Sequence, residues 1–474
     1  MLRNLSPAAV FTYFEKISSI PRESGNCGEI ADYIEAFAKK RNLFFIKDSY
    51  NNVIIQKPGT TLLQHAPTIM LQGHLDMVCE KVQGSTHNFT SDPLSLQTDG
   101  KYIWAKGTTL GADDGIAVAM MLAILDDASL VHPPLECVFT SDEEIGLIGA
   151  QHLDLSGCSA RYLINLDCDE DGVFTAGCCG GVRVRYRIPV SRVQTGGHGK
   201  QLILEGLQGG HSGVQIHKRG GNAVGLLARI LQAAGCTGLV SICGGDKDNV
   251  IPGRCEAMVL GDGTFADAYA KVCREYRERE PDMRFLEEDM GWMETEVLST
   301  DSRENVLHFL THAPWGVLSM HPDIEGLVGT SANLAAVETR TDDASGTVSV
   351  RSEREADRDR VCDTIEGLLA SMGGSARRDG AYPGWTYNKD SLLRQTMVET
   401  WQEMFGEMPQ TAVIHAGLEC GVLQSKLPGL DAIAFGPEIL DIHTPAERLN
   451  IASVEKNYRF LLKVLESLGR KAYA

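Results

Sequence analysis

Thr68-Ile69-Met70-Leu71-Gln72-Gly73-His74-Leu75-Asp76 decides how the rest of this chain is read. An apolar run leads straight into a His-x-Asp pair. A buried strand that ends in imidazole and carboxylate is a sound start for a metal site. The strand is rigid, and open α/β sheets bind ligands at the C-terminal ends of their strands. The plain alternative is a strand end whose polar residues meet solvent. Two further strands repeat the pattern. Leu135–Thr140 runs into Ser141-Asp142-Glu143-Glu144-Ile145-Gly146, and Tyr162–Leu166 runs into Asp167. Three acidic residues at one strand end repel one another unless a counter-charge is present.

Between these strands, Gly107-Thr108-Thr109-Leu110-Gly111-Ala112-Asp113-Asp114-Gly115 opens a helix with Ile116, Ala119, Met120, Ala123 and Ile124 on one face. Asp113 thus precedes a helix N-terminus, where a carboxylate can cap the helix, bridge two metals, or do both through different oxygens. Strands alternating with helices imply a largely parallel sheet with right-handed crossovers. Its C-terminal edge would collect His74, Asp76, Asp113, Glu143, Glu144 and Asp167. Upstream, helical spacing covers 7–18 and 27–41, with Ser6 as the expected N-cap and Pro7 as the first helical residue.

The pattern changes after Gly177-Cys178-Cys179-Gly180-Gly181. Residues 182–190 alternate apolar and polar, as in a half-exposed antiparallel strand. A glycine-rich turn, Gly209-Gly210-His211-Ser212-Gly213, precedes a helix at 222–234. Strands near 239–242 and 257–260, a helix at 265–277, strands near 327–328 and 348–350, and a helix at 357–372 follow. Ala381-Tyr382-Pro383-Gly384-Trp385 is the expected return linker. The first pattern then resumes, with helices at 392–405 and 451–468 and strands at 411–415 and 431–437. The expected fold is α/β: a mixed, largely parallel sheet flanked by helices, with an inserted α+β lid. The catalytic domain would comprise 1–183 and 390–474, and the lid 184–389.

The formal net charge of −19 argues against a nucleic-acid partner, which needs basic surface against phosphate. The 13 cysteines lack paired spacing and no CxxC repeats, so they read as reduced thiols. No apolar run approaches a membrane span, and the N-terminus has no signal-like pattern. The expectation is a cytoplasmic protein with no membrane partner.

Taken in order, Gly73-His74-Leu75-Asp76, Gly111–Gly115, Glu143-Glu144-Ile145-Gly146, Asp167 and the late His443 resemble the M20 family of di-zinc peptidases. Ile414-His415-Ala416-Gly417-Leu418-Glu419-Cys420-Gly421 and Asp248-Asn249-Val250-Ile251-Pro252 point to its dipeptidase branch. The resemblance implies two divalent cations, zinc first, with cobalt or manganese as substitutes. It assigns Asp113 as the bridge, His74 and Asp167 to one metal, and Glu144 and His443 to the other. Asp76 would hold the His74 ring, and Glu143 would be general base toward a water between the cations. His211 would stabilise an oxyanion. Asn249 and Arg351 would bind the backbone and C-terminal carboxylate of a small peptide, with Gly417 and Glu419 lining the pocket. The expected reaction is hydrolysis of unblocked dipeptides, Xaa-His among the candidates. The alternatives are an aminoacylase or other M20 amidohydrolase, or a non-catalytic peptide-binding protein on the same fold. A homodimer is an open option for assembly.

Overall fold

The structure, a computed structural model, describes residues 2–322 and 324–473. They form two compact units. The first comprises Met1–Gly177, Trp385–Val413 and Leu418–Ala474, and the second Cys178–Gly384 with Ile414–Gly417. The sequence reading drew the corresponding limits a few residues later, at 183/184 and 389/390.

The first unit is built on an eight-stranded sheet. At its centre Leu135–Thr140, Ile69–His74, Tyr162–Asn165 and Asp431–Ala434 run parallel. The strands Phe44–Lys47 and Val53–Lys57 extend it antiparallel on one side, and Val173–Cys178 pairs antiparallel on the other. Every residue of Ile69–His74 and Leu135–Thr140 is buried, which is why both read as largely apolar runs rather than alternating ones. The register sets His74 beside Thr140 and Gln72 beside Asn165, so two strands finish level and the third two residues earlier.

The helix Ala112–Asp126 departs from the one-faced pattern expected of it. Gly115 through Leu125 are all buried, because it packs between the strand Ile69–His74 and the helix Ala8–Ile17. Ser6 is not the cap of that first helix. Pro7 occupies the N-cap position, and the Ser6 hydroxyl donates to Glu455 instead. The C-terminal helix Ile451–Tyr473 closes the unit against Leu392–Phe405, with Phe174, Trp401, Phe435 and Phe460 packed edge to face or stacked.

The second unit is built on a nine-stranded sheet whose neighbouring strands pair antiparallel. The buried residues of the helices Ala223–Ala233, Thr300–His312 and Glu355–Ala370 join those of the strands in one core. Two long partners, Arg192–Glu205 and Arg284–Leu298, escaped the sequence reading. The second is largely exposed and the first is exposed over much of its N-terminal half, so neither shows a clean apolar alternation, and glycines interrupt them at 196, 197, 199 and 291. The expected linker at 381–385 begins as strand: Ser375–Tyr382 pairs with Gly180–Pro189. No helix among the described residues is long and apolar enough to cross a membrane. None of the 13 cysteines forms a disulfide.

Candidate metal centre

The first unit brings five sequence-chosen side chains together. His74 Nε2 lies 3.0 Å from Asp113 Oδ1 and 4.0 Å from Asp167 Oδ1. His443 Nε2 lies 3.1 Å from Asp113 Oδ2 and 2.8 Å from Glu144 Oε1. Each oxygen of Asp113 therefore faces a different imidazole. Two overlapping sets, His74–Asp113–Glu144 and His74–Asp114–Asp167, have donor atoms close enough to hold a metal ion. His443 reaches its neighbours from a loop whose backbone is left-handed at that residue, with φ of 61°. A side chain rarely adopts that conformation without local support, and functional sites are where such residues cluster.

Asp76 sits behind His74. Its Oδ1 is 3.4 Å from His74 Nδ1, and its own carbonyl is 3.1 Å from the same nitrogen. The Asp76 carboxylate also accepts from the backbone N–H groups of Glu143 and Glu144 and from the Ser24 hydroxyl. Burial opposes its ionisation, but the His74 ring and these donors hold it down at about 2. One carboxylate thus fixes both the ring of His74 and the loop that carries Glu143 and Glu144.

Asp113 does not cap its helix. The capping role belongs to Glu447, whose carboxylate accepts from the N–H groups of Leu110, Gly111, Ala112 and Asp113. Asp114 was not anticipated at the site. Its buried Oδ2 accepts from the His74 backbone N–H at 3.0 Å, and burial beside Asp167 pushes its carboxyl well up. Only the Asp-Asp doublet itself could have drawn attention to it.

The acidic side chains crowd one another. Burial, reinforced by neighbouring carboxylates, raises Glu143 and Asp167 well above the ordinary range. His443 is pushed up to about 10 by Asp113 and Glu144. Glu419 lies in this unit, whereas Gly417 belongs to the second. It opens the helix Glu419–Lys426, is buried, and accepts from Gln72 at 2.5 Å and Thr140 at 2.8 Å. Buried carboxylates that raise one another's pKa are what a divalent cation relieves, and imidazole with carboxylate is a fitting donor set for zinc.

The other sequence-chosen residues lie in the second unit. His211 Nδ1 accepts from the backbone N–H groups of Gly213 and Val214, at 3.2 and 3.1 Å. That fixes the proton of the neutral ring on Nε2, which is left as a donor. Burial, and Arg351 nearby, lower its pKa. Arg351 donates to the Tyr382 hydroxyl at 2.8 Å. His415 accompanies them: its Nε2 is 2.7 Å from Ser331 Oγ, and burial beside Arg351 depresses it to about 3. Gly417 packs so tightly on Tyr382 that a Cβ there would stand 2.5 Å from the ring. Asn249 is exposed, and its carbonyl accepts from the Ser212 N–H at 2.8 Å. Tyr382 and Ser331 escaped the sequence reading, since neither sits in a motif.

Residues 70–467 match the model of peptidase family M20/M25/M40. The cytosol non-specific dipeptidase of Escherichia coli (strain K12) is 33% identical over 483 residues, covering 99% of each chain. Among solved structures, the aminoacylhistidine dipeptidase from Vibrio alginolyticus has a TM-score of 0.89 and 32% identity, covering 98% of each chain. A tripeptidase from Staphylococcus aureus shares the fold, with a TM-score of 0.61 at 16% identity, covering 98% of this chain and 99% of that one.

Proposed function

Because the chain belongs to peptidase family M20/M25/M40, we propose that it hydrolyses unblocked dipeptides with the help of two divalent cations, zinc by preference. The observation that carries this reading is Asp113. Both of its oxygens face imidazoles, and its backbone neighbours are capped by another residue. His74 and Asp167 would hold one cation, Glu144 and His443 the other, with Asp113 shared. Bound there, the cations would supply Lewis acidity and lower the pKa of water toward neutrality.

The remaining steps belong to the side chains. Glu143, adjacent to a ligand but outside the ligand set, takes the proton of the attacking water and delivers it to the leaving amine. Asp76 keeps the His74 ring oriented. In the second unit, His211 donates its Nε2 proton toward the developing oxyanion. Arg351 receives the peptide's carboxylate, a pairing the guanidinium fork favours. Asn249 and Gly417 complete peptide binding there, and Glu419, in the first unit, is the remaining substrate-binding candidate. A relative named for aminoacylhistidine supports C-terminal histidine as a preferred residue, and a relative named for the cytosol supports a cytoplasmic location.

Incubating the zinc-loaded protein with matched free and N-acylated dipeptides tests the reading. Cleavage of the free series alone supports a dipeptidase. Cleavage of the acylated series would make it an aminoacylase, and binding without cleavage would make it a peptide-binding protein.

A further inference from the structure

Arg22 and Glu447 take no part in the roles above, yet each is buried beside them, 2% exposed. Arg22 comes from the Pro21–Asn26 loop. Its Nη1 donates to the carbonyls of Leu75 and Asp76, both at 2.8 Å, and its Nη2 donates to the carbonyl of Gly111. It thereby ties the turn after His74 to the turn before Asp113. Glu447, four residues beyond His443, accepts from Leu110 at 2.7 Å, Gly111 at 2.9 Å, Ala112 at 2.8 Å and Asp113 at 3.4 Å. Three loops that each carry a proposed ligand are thus joined through one buried pair of opposite charge.

The local sequence is shaped to this arrangement. A Cβ at Gly111 or Gly115 would stand 2.5 or 2.6 Å from Arg22 Nη2, so both glycines of the Gly-Ala-Asp-Asp-Gly motif make room for the guanidinium. Gly111 occupies the helix N-cap with φ of 66° and has no side chain with which to cap. Without Glu447, the first-turn N–H groups would need another acceptor, and Asp113 is the carboxylate at hand. A capping Asp113 would withdraw an oxygen from the imidazoles it now faces.

The geometry points to Arg22 and Glu447 as positioning residues that set metal affinity by keeping both oxygens of Asp113 free and the three ligand loops in register. This inference rests on the proposed metal centre. A control lies at the opposite end of the same sheet. Glu136 is also buried, and its carboxylate accepts from the backbone N–H groups of Ser159 and Ala160, remote from the ligand-bearing strand ends.

The test compares Glu447→Gln, Arg22→Lys and Glu136→Gln with the unaltered chain. Each is stripped of metal and titrated with Zn2+ against a chromophoric chelator. Each is then loaded with Co2+ for its absorption spectrum, and the Tm of the metal-free form is measured. Glu447→Gln should weaken metal binding by about 10–100-fold, the usual effect of losing a group that orients a ligand. It should also change the Co2+ spectrum and, at saturating metal, leave KM for a free dipeptide unchanged. Arg22→Lys should shift affinity and spectrum in the same direction, and it decides the matter if Glu447→Gln does not fold. Glu136→Gln should lower Tm only. Unaltered affinity and spectrum in the first two variants would overturn the inference, as would an equal loss of affinity in Glu136→Gln. An unaltered chain that bound no Zn2+ would instead overturn the functional reading.

Discussion

The two units build their polar clusters in opposite ways. In the first, His74, Glu143, Glu144 and Asp167 stand at or just beyond the ends of buried parallel strands, and the cluster is dominated by carboxylates. In the second, Arg351 lies within an antiparallel strand, His211 lies in a turn, and His415 lies on a short returning segment. The pKa shifts differ accordingly. Carboxylates beside His74 and His443 push those rings up, whereas burial near Arg351 pushes His211 and His415 down. On the proposed function, the first cluster would hold cations and the second would present neutral or cationic donors to an anion.

The largest effect that sharpens this contrast belongs to Asp113→Ala. Loss of the shared carboxylate should remove metal and activity together, read by elemental analysis and turnover; two retained equivalents would break the assignment. Glu143→Ala should keep both metals and lower kcat by roughly 10²–10⁴-fold, the usual worth of a general base. Turnover near normal at full metal occupancy would refute that role. His211→Ala should also retain metal while losing about 10²–10³-fold in kcat, as when one oxyanion donor is removed. A change confined to KM, or loss of metal, would separate His211 from catalysis.

Arg351→Ala should raise KM mainly, because a carboxylate contact is shared by ground and transition states. The rise should be about 10–100-fold, from the roughly 1.5–3 kcal/mol of a charged hydrogen bond. The last effect concerns stability rather than turnover. His415 has a folded-state pKa of about 3, below the ordinary value of 6.5, so protons bind more readily to the unfolded chain. Its contribution is present above about 6.5 and is lost as pH falls toward about 3. Chemical denaturation across that window should show a shallower acid decline for His415→Asn than for the unaltered chain.

How much of this was legible follows the same division. Parallel strands buried on both faces read as apolar runs, so their ends, and with them His74, Glu144 and Asp167, could be found by inspection. The strands Arg192–Glu205 and Arg284–Leu298 carry no comparable signal, because glycines and exposed stretches break their alternation and the two pair across a long stretch of chain. Arg22 sat in a segment whose composition said only loop, and Glu447 in one with no motif. Their importance comes from backbone groups supplied by distant turns, which periodicity cannot reveal. The free Gly111 cap position was the one available hint. Asp113 was left open as cap, bridge or both, and the position of Glu447 removes the capping role.

The most direct test of the central claim is a zinc titration of the metal-free protein during hydrolysis of a free dipeptide. The account predicts no turnover without metal, and a rate that rises to saturation at two equivalents of zinc per chain. Turnover that persists without metal, or that stays absent once two equivalents are bound, would contradict it.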